Sequence, residues 1–268
     1  MRAAPLPSNL EQDIRCEQVR LVFRSMKSSL YLGSALALTL TLVFHSEENH
    51  NAVLSWLAAV IVSRVISVGY ARAALRRGIN AENTSRHIHY MCVIKILEGV
   101  AWGSLVWIVM GHTSLAEQLL AMASLAGVSG NAVSLLAPVF PLFLSMQLAQ
   151  LAAMSSRLLT LEDSSFAILS VGCALFVAGQ SAQAMLAQRT SRQSLILRFE
   201  NLDLIERLKV ESENAELARG KAEEANLAKS KFLAAASHDL RQPVHAQELF
   251  LEVLTRSDLS DFQHKILN

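Results

Sequence analysis

The feature that most constrains this chain is the apolar sequence between residues 29 and 188, which divides into six stretches of about one bilayer crossing each. A membrane helix needs about 20 mostly apolar residues. The stretches fall at roughly 29–45, 52–71, 90–110, 116–137, 139–156 and 165–186. Polar clusters separate them: Glu47-Glu48-Asn49-His50, Arg76-Arg77-Gly78, His112-Thr113-Ser114, Pro138 to Pro141, and Glu162-Asp163-Ser164. The fourth and fifth stretches meet in a proline-framed hairpin, so the division there is the least defined. This patterning predicts an all-α membrane protein with a six-helix transmembrane bundle.

Composition sharpens the contrast between the middle of the chain and its end. Hydrophobic residues make up 52% and charged residues 18%, against about 25% charged in ordinary soluble domains. Twelve of the 24 Lys and Arg and thirteen of the 23 Asp and Glu lie beyond residue 188, so the middle is more apolar than the average. A net charge of +1 without a basic block gives no footprint for nucleic acid, which is bound through clustered cations. The three cysteines, Cys16, Cys92 and Cys173, form neither a disulfide framework nor a zinc spacing, and no metal site is expected. The first apolar run follows Arg15, Arg20, Arg24 and Lys27 and lacks an A-x-A cleavage pattern, which reads as a retained signal anchor.

Lys and Arg mark the cytoplasmic side of a membrane protein. Arg15, Arg20, Arg24 and Lys27 precede the first stretch, Arg72, Arg76, Arg77 and Arg86 flank the second loop, and Arg189, Arg192 and Arg198 follow the sixth. The alternate loops hold only Arg157. Both termini are therefore expected in the cytoplasm, as an even number of spans requires.

Three ionisable residues fall inside the apolar stretches: Arg64 in the second, with Lys95 and Glu98 in the third. Charges at such depth are costly and mark functional sites by default. Lys95 and Glu98 are three apart and can face each other, either as a structural pair or as part of a polar, ligand-binding pocket for a small signal, with Trp102 one turn below Glu98. Rows of small residues at Ala123, Gly127 and Asn131, and at Ala126, Gly130 and Ser134, permit close helix packing. His45, Glu47, Glu48 and His50 form an external cluster, read first as solvated loop and second as a metal or pH site. His87 and His89 sit at a helix start near the cytoplasmic interface.

Beyond Arg189 the pattern becomes a charged helix, without proline until Pro243 and with Gly220 as its only glycine. A 4-3-4-3 seam runs through Leu197, Asn201, Leu204, Leu208, Glu211, Ala215, Ala218, Ala222, Ala225, Lys229, Phe232 and Ala236, the spacing of a parallel coiled coil. In the segment from Lys229 onward, Phe232, Ala236, Leu240, Pro243, Ala246, Phe250, Leu251 and Leu254 build an apolar face. His238, Arg241, Gln242, His245, Glu248 and Glu252 fall on the other side. Pro243 removes the backbone bond to the carbonyl of Asp239 and loosens the helix one turn below His238. A neutral imidazole with one nitrogen held by an acceptor and the other free is a competent nucleophile, and Asp239 can supply that acceptor.

The string Ser237-His238-Asp239-Leu240-Arg241-Gln242-Pro243 closely resembles the dimerisation and phosphoacceptor domain of bacterial sensor histidine kinases, especially hybrid kinases. The resemblance covers about residues 215–268 and is most specific over 229–254. It implies that His238 is the phosphorylated histidine, Asp239 its acid/base neighbour and Pro243 the bending proline. Relatives that also dephosphorylate their partner often carry Asn or Thr where Gln242 stands. Ser257 to Asp261 reads as a hairpin turn, and Ser260 with Gln263 as a capping box opening a second helix.

The expected organisation is a cytoplasmic N-terminal segment over 1–28, the transmembrane sensor domain over 29–188, a coiled-coil signalling helix over 189–228, and an incomplete phosphoacceptor domain over 229–268, the first helix of a dimeric four-helix bundle. The resemblance further implies a homodimer in the bacterial inner membrane, in contact with membrane lipid, receiving a small-molecule or physical signal and passing phosphate to a response-regulator receiver domain. No Gly-rich phosphate loop occurs in these residues. ATP with Mg2+ is expected to be bound by a catalytic domain outside them, and the chain by itself is expected not to autophosphorylate. The alternative reading is a non-enzymatic membrane receptor or transporter whose C-terminal helix dimerises.

Overall fold

The computed structural model describes residues 8–256. The described residues are helical throughout, joined by short turns and without strands. Seven α-helices follow in order: α1 (Ser8–Phe44), α2 (His50–Arg77), α3 (Ala81–Gly103), α4 (Leu105–Val109), α5 (Leu115–Leu136), α6 (Phe140–Leu158) and α7 (Ser164–Thr255), with a 3-10 turn over Ala137–Val139 between α5 and α6. The expected hairpin over Ser257–Asp261 and the capping box at Ser260 lie outside the described residues. The chain forms two compact units, 1–199 and 200–268.

In the first unit the polar separators become helix boundaries through local hydrogen bonds. After α1, Ser46 N–H donates to Asn49 Oδ1 (2.9 Å), and Asn49 Nδ2 donates to the carbonyl of Phe44 (2.9 Å). Asn80 and Asn83 cap α3 reciprocally, at 2.9 and 3.0 Å. Ser114 and Glu117 do the same for α5, which is the reciprocal pattern that satisfies orphan N–H groups at a helix start. Asp163 Oδ1 accepts from Ser165 N–H at 2.8 Å at the start of α7. That backbone bond holds the Asp163 carboxyl below its usual range.

The first helix starts at Ser8, well ahead of the expected apolar start at 29. The sequence shows why: Val19, Val22, Phe23 and Met26 recur at helical spacing and are buried, so this face of α1 extends the bundle below the apolar stretch. Cys16 Sγ meets Thr84 Oγ1 at 3.1 Å, and Phe23 packs edge-on against Tyr70 and His87. Arg20 donates to the Ile79 carbonyl at 2.5 Å. On the opposite side of the bundle core, Trp56 of α2 and Trp102 of α3 make an edge-to-face pair 5.7 Å apart.

α3 and α6 approach closely, and the approach rests on Gly99 and Gly103. A Cβ at Gly103 would lie 2.6 Å from the Gln150 carbonyl and 2.8 Å from Ala153 Cβ, and one at Gly99 would overlap the Met146 carbonyl. Small residues spaced four apart let helix backbones touch in this way. In the small-residue rows of α5, Gly127 and Gly130 have open space around them and Gly127, Asn131 and Ser134 are exposed. Ala123 and Ala126 line a cavity beside α6, while Ala121, Leu125, Val128 and Ala132 are buried.

Among the described residues, five helical stretches are long and apolar enough to cross a membrane: Leu10–Phe44, His50–Arg77, Ala81–Val109, Leu115–Leu158 and Ser164–Leu254. Leu115–Leu158 holds two of the six expected segments. Within it Gln150 Nε2 donates to the Leu125 carbonyl at 3.3 Å, although an uninterrupted helix would hold those residues about 37 Å apart. The chain therefore reverses at the turn around Pro138, and α5 and α6 pack antiparallel.

Candidate functional site

Residues 200–255 belong to α7, and the described side chains there are almost all exposed. The helix forms here because good helix formers dominate and only Gly220 and Pro243 oppose it. Pro243 lies inside the continuous helix. Its ring nitrogen has no hydrogen to give to the Asp239 carbonyl, so the backbone is weakest next to His238. The apolar face anticipated from the sequence is present and uncovered: Phe232, Leu240 and Phe250 are each about 70% exposed. Local ion pairs decorate the polar side, as in Arg207–Asp203 (2.8 Å) and Arg219–Glu223 (2.8 Å).

His238 stands on this polar side with its side chain 69% exposed, and its Nδ1 lies 3.4 Å from Asp239 Oδ1. A carboxylate only accepts, so a hydrogen bond across this pair is one that Nδ1 would donate, in the tautomer whose Nε2 carries the lone pair. His245 is equally exposed, but its Nδ1 is 3.6 Å from Glu248 Oε2, beyond hydrogen-bonding distance. The structure thus brings His238 and Asp239 together as the sequence suggested.

The second set of residues singled out in the sequence also comes together. Glu98 Oε1 lies 3.0 Å from Arg64 Nη1, and Glu98 Oε2 lies 2.5 Å from Lys95 Nζ, with all three side chains buried. Arg64 Nη2 also donates to Ser29 Oγ at 2.8 Å and to the Ser29 carbonyl. The guanidinium fits because residue 33 of α1 is glycine: a Cβ at Gly33 would collide with it. Arg64 therefore links α2 to Glu98 of α3 and to Ser29 of α1, while Lys95 pairs with Glu98 within α3. The cavity beside the cluster is about 10 Å³, room for roughly one water. The three residues singled out in the sequence thus form one buried cluster, and Ser29 is the member that sequence reasoning missed.

Among the described residues, the remaining histidines have local partners. His45 Nε2 and His50 Nδ1 are 2.7 Å apart in the exposed α1–α2 turn. Among the described residues no group of three or more His, Cys, Asp or Glu is placed to hold a metal ion. His87 Nδ1 meets Tyr70 Oη at 2.8 Å, and His89 Nδ1 meets the Ser85 carbonyl at 2.8 Å. Arg157 donates to the Met110 carbonyl at 3.1 Å, approaches His112 Nε2 at 2.9 Å, and lies over the Trp107 ring.

Comparison with curated proteins and with solved structures gives no match. Residues 228–268 match the His Kinase A (phospho-acceptor) domain, and this match supports a phosphoacceptor function in two-component signalling, of the kind histidine kinases carry out.

Proposed function

We propose that the chain is the sensing and phosphoacceptor portion of a bacterial membrane histidine kinase, with His238 as the phosphorylated residue. The observation that carries this reading is the His238–Asp239 pair on an exposed helix face within the matched segment. In the reaction, His238 Nε2 attacks the terminal phosphorus of a phosphoryl donor, an N–P bond forms and the P–O bond to the leaving nucleoside diphosphate breaks. Asp239 accepts the Nδ1 proton as positive charge develops on the ring. Transfer of the phosphoryl group to an aspartate of a receiver domain then returns the imidazole. Such transfers depend on positioning and charge stabilisation. In this proposal ATP with Mg2+ is presented to His238 by a catalytic domain outside the described residues, and Gln242, standing where Asn or Thr often occurs in relatives that also dephosphorylate their partner, leaves phosphatase activity open.

In the same proposal six spans carry the signal domain, with α5 and α6 as separate crossings and both termini cytoplasmic. The uncovered face of Phe232, Leu240 and Phe250 supports a homodimer, since contiguous exposed apolar surface marks an interaction site. The Arg64–Glu98–Lys95 cluster serves as the polar element through which a signal acts, by loosening or tightening the join of α1, α2 and α3.

The test is phosphorylation in trans. Mixed with a competent related kinase whose own histidine has been removed, the chain is expected to take up an acid-labile label. The label should vanish in His238→Gln and persist in His245→Gln. Label surviving His238→Gln refutes the site assignment, and no label in the wild-type chain favours the alternative of a receptor or transporter with a dimerising helix.

A further inference from the structure

A cavity of about 340 Å³ lies where the end of α2 meets the start of α3, within the range of small-molecule sites. Of the four arginines flanking that turn, Arg77 and Arg86 line it and Arg72 and Arg76 do not. Much of the remaining wall is aromatic. Tyr70 Oη meets His87 Nδ1 at 2.8 Å, Phe23 of α1 packs edge-on against both rings, and Tyr90 stands 6.2 Å from Tyr70. The small side chains of Ala73 and Ala74 complete the α2 side. Asn83, the other polar residue of the lining, is spent on the start of α3: it accepts from Asn80 N–H at 2.9 Å and donates to the Gly78 carbonyl at 3.0 Å.

No Asp or Glu lines the cavity. Among the described residues no ion pair includes Arg77 or Arg86, not even with Glu82 four residues ahead of Arg86 on α3. An exposed arginine in water needs no partner, so the missing pairs alone assign nothing. The position does. Two arginines share one cavity with two tyrosines, at the edge of the apolar stretch of α2, the level at which lipid headgroups and aromatic side chains meet in a bilayer. A guanidinium fork matches the oxygens of a phosphate. We propose that this cavity seats the phosphate of an anionic glycerophospholipid of the surrounding leaflet between Arg77 and Arg86, with the glycerol end of the lipid against Tyr70, Tyr90 and Ala73. The headgroup must carry net negative charge, because a zwitterionic one would bring its own cation beside two others.

The inference rests on the reading of α2 and α3 as membrane spans, and that reading is checked separately by whether the chain stays in the membrane pellet after alkaline extraction. Binding is tested on the full chain in a maltoside detergent, by native mass spectrometry with equal amounts of dioleoylphosphatidylglycerol and dioleoylphosphatidylcholine. The expected result is an excess of phosphatidylglycerol adducts of about tenfold or more. Arg77→Gln with Arg86→Gln should abolish that excess. Arg72→Gln with Arg76→Gln removes the same charge from the same end of the bundle, outside the lining, and should keep it. Ala73→Trp, which fills the cavity and leaves both lining arginines in place, should lose it. Equal loss in the two arginine pairs overturns the proposal, since the attraction would then belong to the whole basic end. So does an undiminished excess in Ala73→Trp, equal adducts of the two lipids on the wild-type chain, or displacement of the lipid by inorganic phosphate or glycerol 3-phosphate, which would make the occupant a soluble phosphate.

Discussion

A buried carboxylate facing two cations makes an unequal set of substitutions at Arg64, Lys95 and Glu98. Removing one partner of a buried ion pair strands the other and costs about 3–5 kcal/mol. In Glu98→Gln both Arg64 and Lys95 lose their anion, although Arg64 keeps its bonds to Ser29. In Lys95→Met the Arg64–Glu98 pair at 3.0 Å survives, and only one cation is replaced by a side chain of similar length. Thermal unfolding in a fixed detergent is expected to show Glu98→Gln as clearly the less stable of the two. Equal loss would mean that Lys95 and Glu98 form the whole of the interaction. The sequence could suggest the Lys95–Glu98 contact, because three-residue spacing on a helix sets it. It could not supply Arg64's place in the cluster, because that depends on how α1, α2 and α3 cross and on the glycine at position 33.

Among the helices, close packing is decided by which face each element turns inward. Gly99 and Gly103 lie against the backbone of α6, where any Cβ meets Gln150 or Met146. Overpacking of this kind costs about 1–3 kcal/mol or more. Gly99→Ala and Gly103→Ala are expected to destabilise the chain, and Gly103→Leu to prevent its accumulation in membranes. Gly127→Ala and Gly130→Ala meet open space and should be neutral or gain about 0.5–1 kcal/mol from higher helix propensity. Unfolding midpoints of the four alanine variants check the contrast. Spacing alone marks both sets of small residues as packing candidates. Only the rotation of α5, set by Ala121, Leu125 and Ala132 facing inward, turns Gly127 away from its neighbours.

For the molecule as a whole, the cation asymmetry makes a topological prediction. Reporter fusions after Leu10 and after Arg198 should both report a cytoplasmic location, as the Lys and Arg bias requires. A fusion placed after Thr160 should report the opposite side. A result with Leu10 and Arg198 on opposite sides would mean an odd number of crossings and would undo α5 and α6 as separate spans.

Some of this molecule is legible in order of residues alone. Helical class, the main helix breaks at Glu47, Gly78, Ser114 and Asp163, and the His238–Asp239 motif follow from hydropathy, capping chemistry and adjacency, which are local properties of the chain. The helical stretch of α1 ahead of residue 29 is less visible in the sequence, because an amphipathic face such as Val19, Val22, Phe23 and Met26 does not form an apolar run. The three-way join at Arg64 and the Gly99–Gly103 seam belong to another order. Each depends on groups far apart in sequence, and an arginine reads the same in a string whether its charge is paired or not. Only the packing of α1, α2, α3 and α6 decides which polar atoms find partners, since burial and reach are set by helix rotation and crossing.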